Sequence, residues 1–386
     1  MKLYEYQAKE LLHKFGVNIP KNYLITDVHQ IEQFDAPFNY PIYIKGQVLA
    51  GGRAKYNLIK EANSLEEVRH MVMTMLNTTV DGLFVPSVLL EDKVIGDNLY
   101  YMSIVNDRNA RKPVLVASLQ SGGDIEEFAK SHPQQVAKQL INPLTGLHSY
   151  QALSVADELN LPRHLWRAFD ELAQAMYRCY VHYDATLVEI NPIAYTHEYG
   201  FIAVDAKMKV DDNALYRQPD ILSWQHILHM SDTEKLALEA GVSYVKLDGQ
   251  IACVVNGAAL AMTIMDMTYS HGDANITPAC FLDIGGGADA DRVVKALKIA
   301  FSDENVKAVI CSIFGGMTRC DEIATGIVQA YRLLNPNIKT IIKLQGTNAL
   351  LGWEIIQNAN IGNLQMAMSL GEAVKLAVDA VGGMLS

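Results

Sequence analysis

From about residue 240 onward the chain repeats one pattern: a short apolar run, a glycine-containing turn, then an amphipathic stretch of helical length. The apolar runs are Ile251–Val255, Ala279–Ile284, Ala308–Ile313 and Thr340–Leu344, and each precedes a helical pattern of roughly 10 to 15 residues. Strands that are apolar throughout need cover on both faces. The pattern therefore predicts a parallel sheet with helices on both sides, over residues 240–386. Such a sheet turns the loops at the carboxyl ends of its strands toward any ligand.

Residues 1–230 lack that regularity and predict an α+β layout. Tyr4–Phe15 reads as a helix closed by Gly16, and Pro41–Leu49 as a strand with Ile42 and Ile44 on one face and Tyr43 and Lys45 on the other. Ser64-Leu65-Glu66-Glu67 has the form of a capping box opening a helix to about Leu76. Leu99–Val105 and Pro113–Leu119 flank a polar turn and predict a hairpin. A long helix is expected over Arg163–Tyr183, then a strand pair at Thr186–Ile190 and Phe201–Ala206, and a polar connector at Ser231–Lys235.

Bulk charge narrows the partners. Forty-three acidic against 32 basic side chains give a net charge of −11, which disfavours non-specific nucleic-acid binding and anionic membranes while leaving room for a local phosphate site. No run approaches the ~18 apolar residues of a membrane span. The N-terminus has no apolar signal region, and the five cysteines form no C-x-x-C pair, as expected of reduced thiols in a cytoplasmic protein.

Three glycine-containing strand ends carry the strongest local signal: Asn256-Gly257-Ala258, Gly285-Gly286-Gly287 and Gly315-Gly316-Met317-Thr318. Free N–H groups at helix starts attract phosphate or carboxylate. One such turn alone reads as a tight β–α connection; three at one sheet edge read as a binding edge. None matches a Walker loop or a dinucleotide fingerprint.

In the first half Lys45 precedes Gly51-Gly52-Arg53-Ala54-Lys55, which local sequence reads equally as a triphosphate clamp or as a solvated basic turn. Glu189 and Asn191 share one strand face, with Asp205 across the pair. Asp and Asn oxygens suit Mg²⁺ bound together with phosphates; buried hydrogen-bonded polar groups are the plainer reading. The 11 histidines form no zinc spacing, and His226, His229 and His271 read as surface or satisfied core residues.

These segments together resemble the succinyl-CoA synthetase β-subunit family, from Met1 nearly to the C-terminus. The resemblance rests on Glu5-Tyr6-Gln7-Ala8-Lys9, Gln47–Arg53, Leu187–Pro192, Asp205-Ala206-Lys207, Asp212–Asp220, Val255–Ala258, Phe281–Ala288 and Ile313–Asp321. It implies an ATP-grasp domain followed by a flavodoxin-like CoA-ligase domain. It also implies an α subunit that supplies a phosphohistidine and most CoA contacts, with Mg²⁺ and ATP/ADP (or GTP/GDP) as cofactors and a small acid as substrate. By resemblance Lys45, Gly52, Arg53, Ala54, Glu91, Val94 and Asn98 fall at nucleotide positions, and Asn191 and Asp205 at Mg²⁺ positions. Glu189 falls where a glutamate meets the phosphohistidine. Asn256, Gly316, Met317 and Thr318 fall at the acid site, beside a helix opening near Arg319.

The departures lie in the nucleotide half. Ala54 stands where the family has glycine, Tyr56-Asn57-Leu58 replaces a flexible run, and Asn98, or Leu99 under a one-residue shift, replaces an acidic residue. Ala54 would be strained if its position needed positive φ. The expected function is the β chain of an ATP- or GTP-dependent succinate–CoA ligase. A ligase of another acid, such as malate–CoA ligase, and a non-catalytic paralogue with an impaired nucleotide loop are the alternatives. Pro20 before the first strand matches ADP-forming members.

Overall fold

The structure is a computed structural model that describes every residue except 33, 35–37, 81, 97, 123–124, 225–230, 272–275 and 386. The expected helix with His226 and His229 therefore lies outside the described residues. The chain divides into two compact units, Met1–His229 and Met230–Ser386.

In the first unit, helix α1 (Glu5–Lys14) is fixed at its N-terminal end. The Leu3 N–H donates to the Met208 carbonyl at 3.0 Å, and the Tyr4 N–H donates to Gln7 Oε1 at 2.9 Å. Strands β1 (Asn22–Ile25), β2 (Ile42–Gly46), β3 (Ile59–Ala62) and β4 (Val88–Asp92) form a small antiparallel sheet in the order β1-β4-β2-β3. Helix α2 (Leu65–Met75) packs Val68 and Val72 into a core with Ile42, Ile44 and Leu58. Ser64 Oγ caps α2 from the Glu67 N–H at 3.3 Å. The returning half of the box is shifted by one residue, because Glu67 takes the Asn63 N–H instead, at 2.8 Å.

The larger sheet contains β5 (Leu99–Asp107), β6 (Lys112–Ser118), β7 (Val136–Leu140), β8 (Ala185–Thr196), β9 (Gly200–Ala203) and β10 (Ala206–Val210). Its order is β9-β8-β5-β6-β7, with β10 also paired to β8, all antiparallel. The expected hairpin is β5–β6. Helices α1, α3 (Ser149–Glu158) and α4 (Trp166–His182) bury one face through Leu11, Leu12, Val155, Phe169 and Met176. Two expectations are corrected here. Residues 163–165 form a separate 3₁₀ turn before α4, and β8 runs 12 residues, through Asn191 and Pro192, with a register shift between Ile190 and Ile193. Proline has no ladder N–H, so the strand passes it only by shifting register.

In the second unit the expected connector at Ser231–Lys235 is instead the capped first turn of α5 (Asp232–Ala240). Ser231 Oγ accepts from the Glu234 N–H at 3.2 Å, and Glu234 Oε2 accepts from the Ser231 N–H at 2.8 Å. This is a Ser-x-x-Glu box, a helix start that a polar composition conceals. Strands β11 (Ser243–Lys246), β12 (Ile251–Val255), β13 (Pro278–Asp283), β14 (Ala308–Gly315), β15 (Lys339–Gly346) and β16 (Leu364–Met366) take the order β11-β13-β12-β14-β15-β16. All pairs are parallel except β11–β13. Helices α6 (Ala258–His271), α7 (Ala290–Phe301), α8 (Cys320–Leu334), α9 (Ala349–Ala359) and α10 (Leu370–Leu385) follow the strands. Helices α6 and α10 bury one sheet face around Ile251, Cys253 and Ile264; α5, α7, α8 and α9 bury the other around Leu282, Val293 and Ile323. No helix among the described residues is long and apolar enough to cross a membrane.

Helices α7 and α8 approach so closely that a Cβ on Gly326 would lie 2.6 Å from the Ala290 carbonyl and 2.7 Å from Val293 Cβ. Backbone cannot yield as a flexible side chain does. Gly326→Ala is expected to lower stability by about 1–3 kcal/mol, read as an earlier urea midpoint for this unit.

Candidate functional site

Five elements bring one charged cluster together in the first unit. Helix α1 carries Glu5 and Lys9 one turn apart, β2 carries Lys45, and β4 carries Glu91. The 3₁₀ turn Arg53–Tyr56 carries Arg53, and the link from β9 to β10 carries Asp205. Lys45 was expected on the strand face opposite Ile44, and it lies there, buried rather than solvated. Its Nζ is 3.0 Å from Glu5 Oε1 and also meets Glu91. Lys9 Nζ is 2.8 Å from Glu5 and meets Glu91 as well. Arg53 meets Glu5 through Nη1 and Asp205 through Nη2 at 2.8 Å. The Val204 carbonyl accepts from Lys9 at 2.6 Å and from Lys45 at 2.7 Å.

Three cations thus meet three carboxylates, so the buried charge balances. Burial alone would push Glu5 upward, but Arg53, Lys45 and Lys9 overcome it and hold its carboxyl well below the usual carboxylate range. Burial would lower Lys45 and Arg53; Glu5 chiefly holds both above their ordinary values, helped by Glu91 and Asp205 at Lys45 and by Asp205 at Arg53. A buried ion cluster adds little net stability over apolar packing, because desolvation offsets the attraction. What it fixes is position. The cluster opens at Asp205, whose side chain is 33% exposed while those of Glu5 and Glu91 are buried.

Asp205 also adjoins Asn191. The Asn191 N–H donates to the Asp205 carbonyl at 3.1 Å, and Asn191 Oδ1 accepts from the Gly122 N–H at 2.7 Å. The Tyr101 hydroxyl lies 3.3 Å from Glu189 Oε2 and 2.9 Å from Ser103 Oγ. Among the described residues no group of three His, Cys, Asp or Glu side chains stands ready for a metal ion. Asn191 and Asp205 together offer oxygen donors only. That donor set suits Mg²⁺, which takes one or two protein oxygens and completes its shell with phosphates and water.

The turn after β2 answers the question raised by Ala54. Positive φ falls on Gly52 (+75°) and Asn57 (+57°), while Ala54 lies unstrained and exposed between them. Tyr56 and Leu58 pack into the small-sheet core, anchoring the turn. Val94 is half-buried just after β4. Asn98 is exposed just before β5, and its carbonyl accepts from the Tyr195 N–H at 3.4 Å. The contacts therefore pair Lys45 with Glu91 and Arg53 with Asp205, join the two pairs through Glu5, and reach Asn191 through Asp205. Glu5, Lys9 and the Val204 carbonyl complete the cluster and were not among the expected site residues. Beyond the place of Glu5 and Lys9 in the first marker of the resemblance, which assigned them no role, their sequence signal is an oppositely charged i,i+4 pair on α1, which ordinarily marks a solvated face. A separate cleft of about 630 Å³, lined by Arg108, Arg111 and Tyr177, lies at the far end of β5 and contains no expected site residue.

In the second unit the three glycine-containing turns stand side by side, because their strands β13, β12 and β14 are neighbours. Asn256 Oδ1 accepts from the Phe314 N–H at 2.9 Å, and its Nδ2 donates to the Phe314 carbonyl at 2.9 Å and to Thr318 Oγ1 at 3.3 Å. The Gly287 N–H donates to Thr318 Oγ1 at 3.0 Å. Asn256 and Thr318 thus lock three loops together, while Gly316 and Met317 stay exposed, Met317 at 85%. Helix α8 opens directly after them, with Arg319 at its N-cap and no side-chain capping bond. All five cysteines are free and buried, and burial pushes the thiols of Cys179, Cys280 and Cys311 up to about 12.

Comparison with known proteins agrees with this division. Residues 2–195 match an ATP-grasp domain and residues 254–377 a CoA-ligase domain. The succinate–CoA ligase [ADP-forming] subunit β of Anaeromyxobacter dehalogenans is 41% identical, covering 98% of this chain and 99% of the relative. That of Persephonella marina is 38% identical over the same shares, and that of Bacillus subtilis is 36% identical over 99% and 100%. The chain belongs to the succinate–CoA ligase β-subunit family. An ATP citrate lyase from Methanothrix soehngenii, in complex with citrate and coenzyme A, shares the fold at 19% identity, with a TM-score of 0.78 over 98% of this chain and 99% of that one. An N-terminal ATP-grasp domain thus precedes a CoA-ligase domain built on a mainly parallel sheet.

Because Gly52 and not Ala54 holds the left-handed position, Gly52→Ala is expected to cost about 1–2 kcal/mol in urea unfolding and to weaken ADP binding in a calorimetric titration. Ala54→Gly is expected to leave ADP affinity unchanged.

Proposed function

We propose that the chain is the β subunit of a succinate–CoA ligase that uses ATP and acts only in a complex with an α-type subunit. The single observation that carries this reading is the cluster at Lys45, Arg53 and Asp205, of which Lys45 and Arg53 lie within the residues that match an ATP-grasp domain, and which opens toward Asn191. The reaction interconverts acid, CoA and nucleoside triphosphate with acyl-CoA, diphosphate and phosphate through a phosphohistidine on the partner. Phosphoryl transfer asks mainly for alignment and charge neutralisation.

Lys45 and Arg53 supply fixed cations for the phosphates, with Gly52 and Ala54 in the turn beside them. Glu91 holds Lys45 in place, and Val94 and Asn98 line the side of the base and ribose. Asn191 and Asp205 hold Mg²⁺, which when bound neutralises charge on the phosphate oxygens. Glu189 faces the partner's phosphohistidine. Asn256, Gly316, Met317 and Thr318 receive the acid, and the start of α8 favours an anion there by about 0.3–2 kcal/mol. Exposed Phe314, Met317, Leu350 and Met368, at the carboxyl ends of three parallel strands and the start of α9, offer apolar surface for the partner. The names of the relatives support ATP as the nucleotide and succinate as the acid. The unstrained Ala54 supports a working loop over a non-catalytic paralogue.

The test is Asp205→Asn, assembled with the partner and given Mg²⁺ and γ-labelled ATP. Transfer of acid-labile label to the partner is expected to fall about 10²-fold or more, with subunit pairing unchanged. Undiminished labelling, or loss of pairing, would contradict the assigned role.

A further inference from the structure

We infer that Glu5 is a positioning residue of the nucleotide site, setting where Lys45 and Arg53 stand relative to Asp205. The inference rests on the reading of this cluster as the phosphate end of a nucleotide site. Its basis is a junction between two sheets. Lys45 and Glu91 belong to the small sheet and Arg53 to the turn that follows β2, whereas Val204 and Asp205 form the link between β9 and β10 of the large sheet. Helix α1 packs on the large sheet through Ala8, Leu11 and Leu12 and is tied to β10 by the Leu3 N–H. Glu5 therefore reaches from the large-sheet layer to the cations of the small sheet. Gln47 strengthens the tie: its Nε2 donates to Glu5 Oε2 at 3.3 Å, and its Oε1 accepts from the Tyr6 N–H at 3.2 Å.

Among the described residues Glu5 is the one carboxylate that meets all three cations; Glu91 meets Lys9 and Lys45, and Asp205 meets Arg53. That sharing has a consequence at the open end of the cluster. With Glu5 charged, Arg53 divides its contacts between Glu5 and Asp205. With Glu5 neutral, Asp205 is the remaining carboxylate for Arg53, and the guanidinium closes over the oxygen assigned to Mg²⁺. Glu5 thus keeps Asp205 available without itself touching nucleotide or metal.

Glu5→Gln keeps the side chain's shape and removes its charge. In the assembled complex, the rate of phosphoryl transfer to the partner histidine at saturating ATP is expected to fall about 10²-fold, the scale of a small misplacement of reacting groups. The Mg²⁺ concentration for half-maximal rate should rise, while the KM for the acid stays at the wild-type value. Glu5→Asp, which keeps the charge, should recover most of the rate and of the Mg²⁺ response. A purely packing role would move the urea midpoint and the acid KM together and would leave the Mg²⁺ response alone. A folded Glu5→Gln complex with wild-type rate and Mg²⁺ response overturns the inference, as does a Glu5→Asp complex as impaired as Glu5→Gln. Should Glu5→Gln fail to assemble, Glu5→Asp carries the test: a smaller loss in the same two quantities is expected, and wild-type values overturn it. A wild-type complex that transfers no label would refute the proposed activity instead. The Glu5 inference is then read from calorimetric Mg·ADP binding, where Glu5→Gln must show a raised Mg²⁺ requirement and an unchanged one overturns it.

Discussion

Glu5 lies 5% exposed among Lys9, Lys45 and Arg53, and the geometry of the N-terminal unit depends on that meeting. Charges taken out of water must find partners at close range, or the unit that holds them would not fold around them. Here the partners come from a helix, a strand, a turn and the far sheet. Satisfying them therefore fixes the helix, the turn and both sheets relative to one another. The apolar cores do the larger share of holding each sheet to its own helices, through Leu12, Met176 and Val188 in one case and Ile44, Val72 and Leu90 in the other. Apolar packing is non-directional, so it leaves the junction between the sheets to polar contacts.

The C-terminal unit solves a different problem with different means. Its parallel strands are buried on both faces, which leaves only the strand ends for chemistry. Adjacent strands β13, β12 and β14 set three turns in a row, and Asn256 and Thr318 hydrogen-bond those turns to each other. The side chains that look most like ligands are largely engaged in holding the loops. Gly316 and Met317 stay exposed beside the start of α8. Each unit thus places fixed polar groups at one opening: paired charges in the first, loop backbone and a helix start in the second.

The regular half of the chain was legible because a doubly covered parallel strand has a distinctive composition. All four expected strands are present, within a few residues of their expected bounds. The short edge strands β11 and β16 escaped notice, since Ser243–Lys246 and Leu364–Met366 lack a continuous apolar run. Ser231 and Glu234 looked like a connector because a capping box uses the same residues as a loop. Of the positions that the resemblance assigned to nucleotide and Mg²⁺, Lys45 pairs with Glu91 and Arg53 with Asp205, whereas Gly52, Ala54, Val94 and Asn98 lie outside these ion pairs. Glu5 and Lys9 stood in the first marker of the resemblance, but their place in the cluster stayed hidden, because burial of a charged i,i+4 pair is a tertiary fact with no local mark. The tolerance of Ala54 was equally invisible, since only the backbone shows that positive φ falls two residues earlier, at Gly52.

The most direct measurement is a crystal structure of the assembled protein with Mg²⁺ and a non-hydrolysable ATP analogue. The account predicts that Glu5 keeps its contacts with Lys45 and Arg53, while Asp205 leaves Arg53 and joins Asn191 on the metal beside the phosphates. It would be contradicted by phosphates bound away from Lys45 and Arg53, or by nucleotide bound at this site with Glu5 detached from both cations.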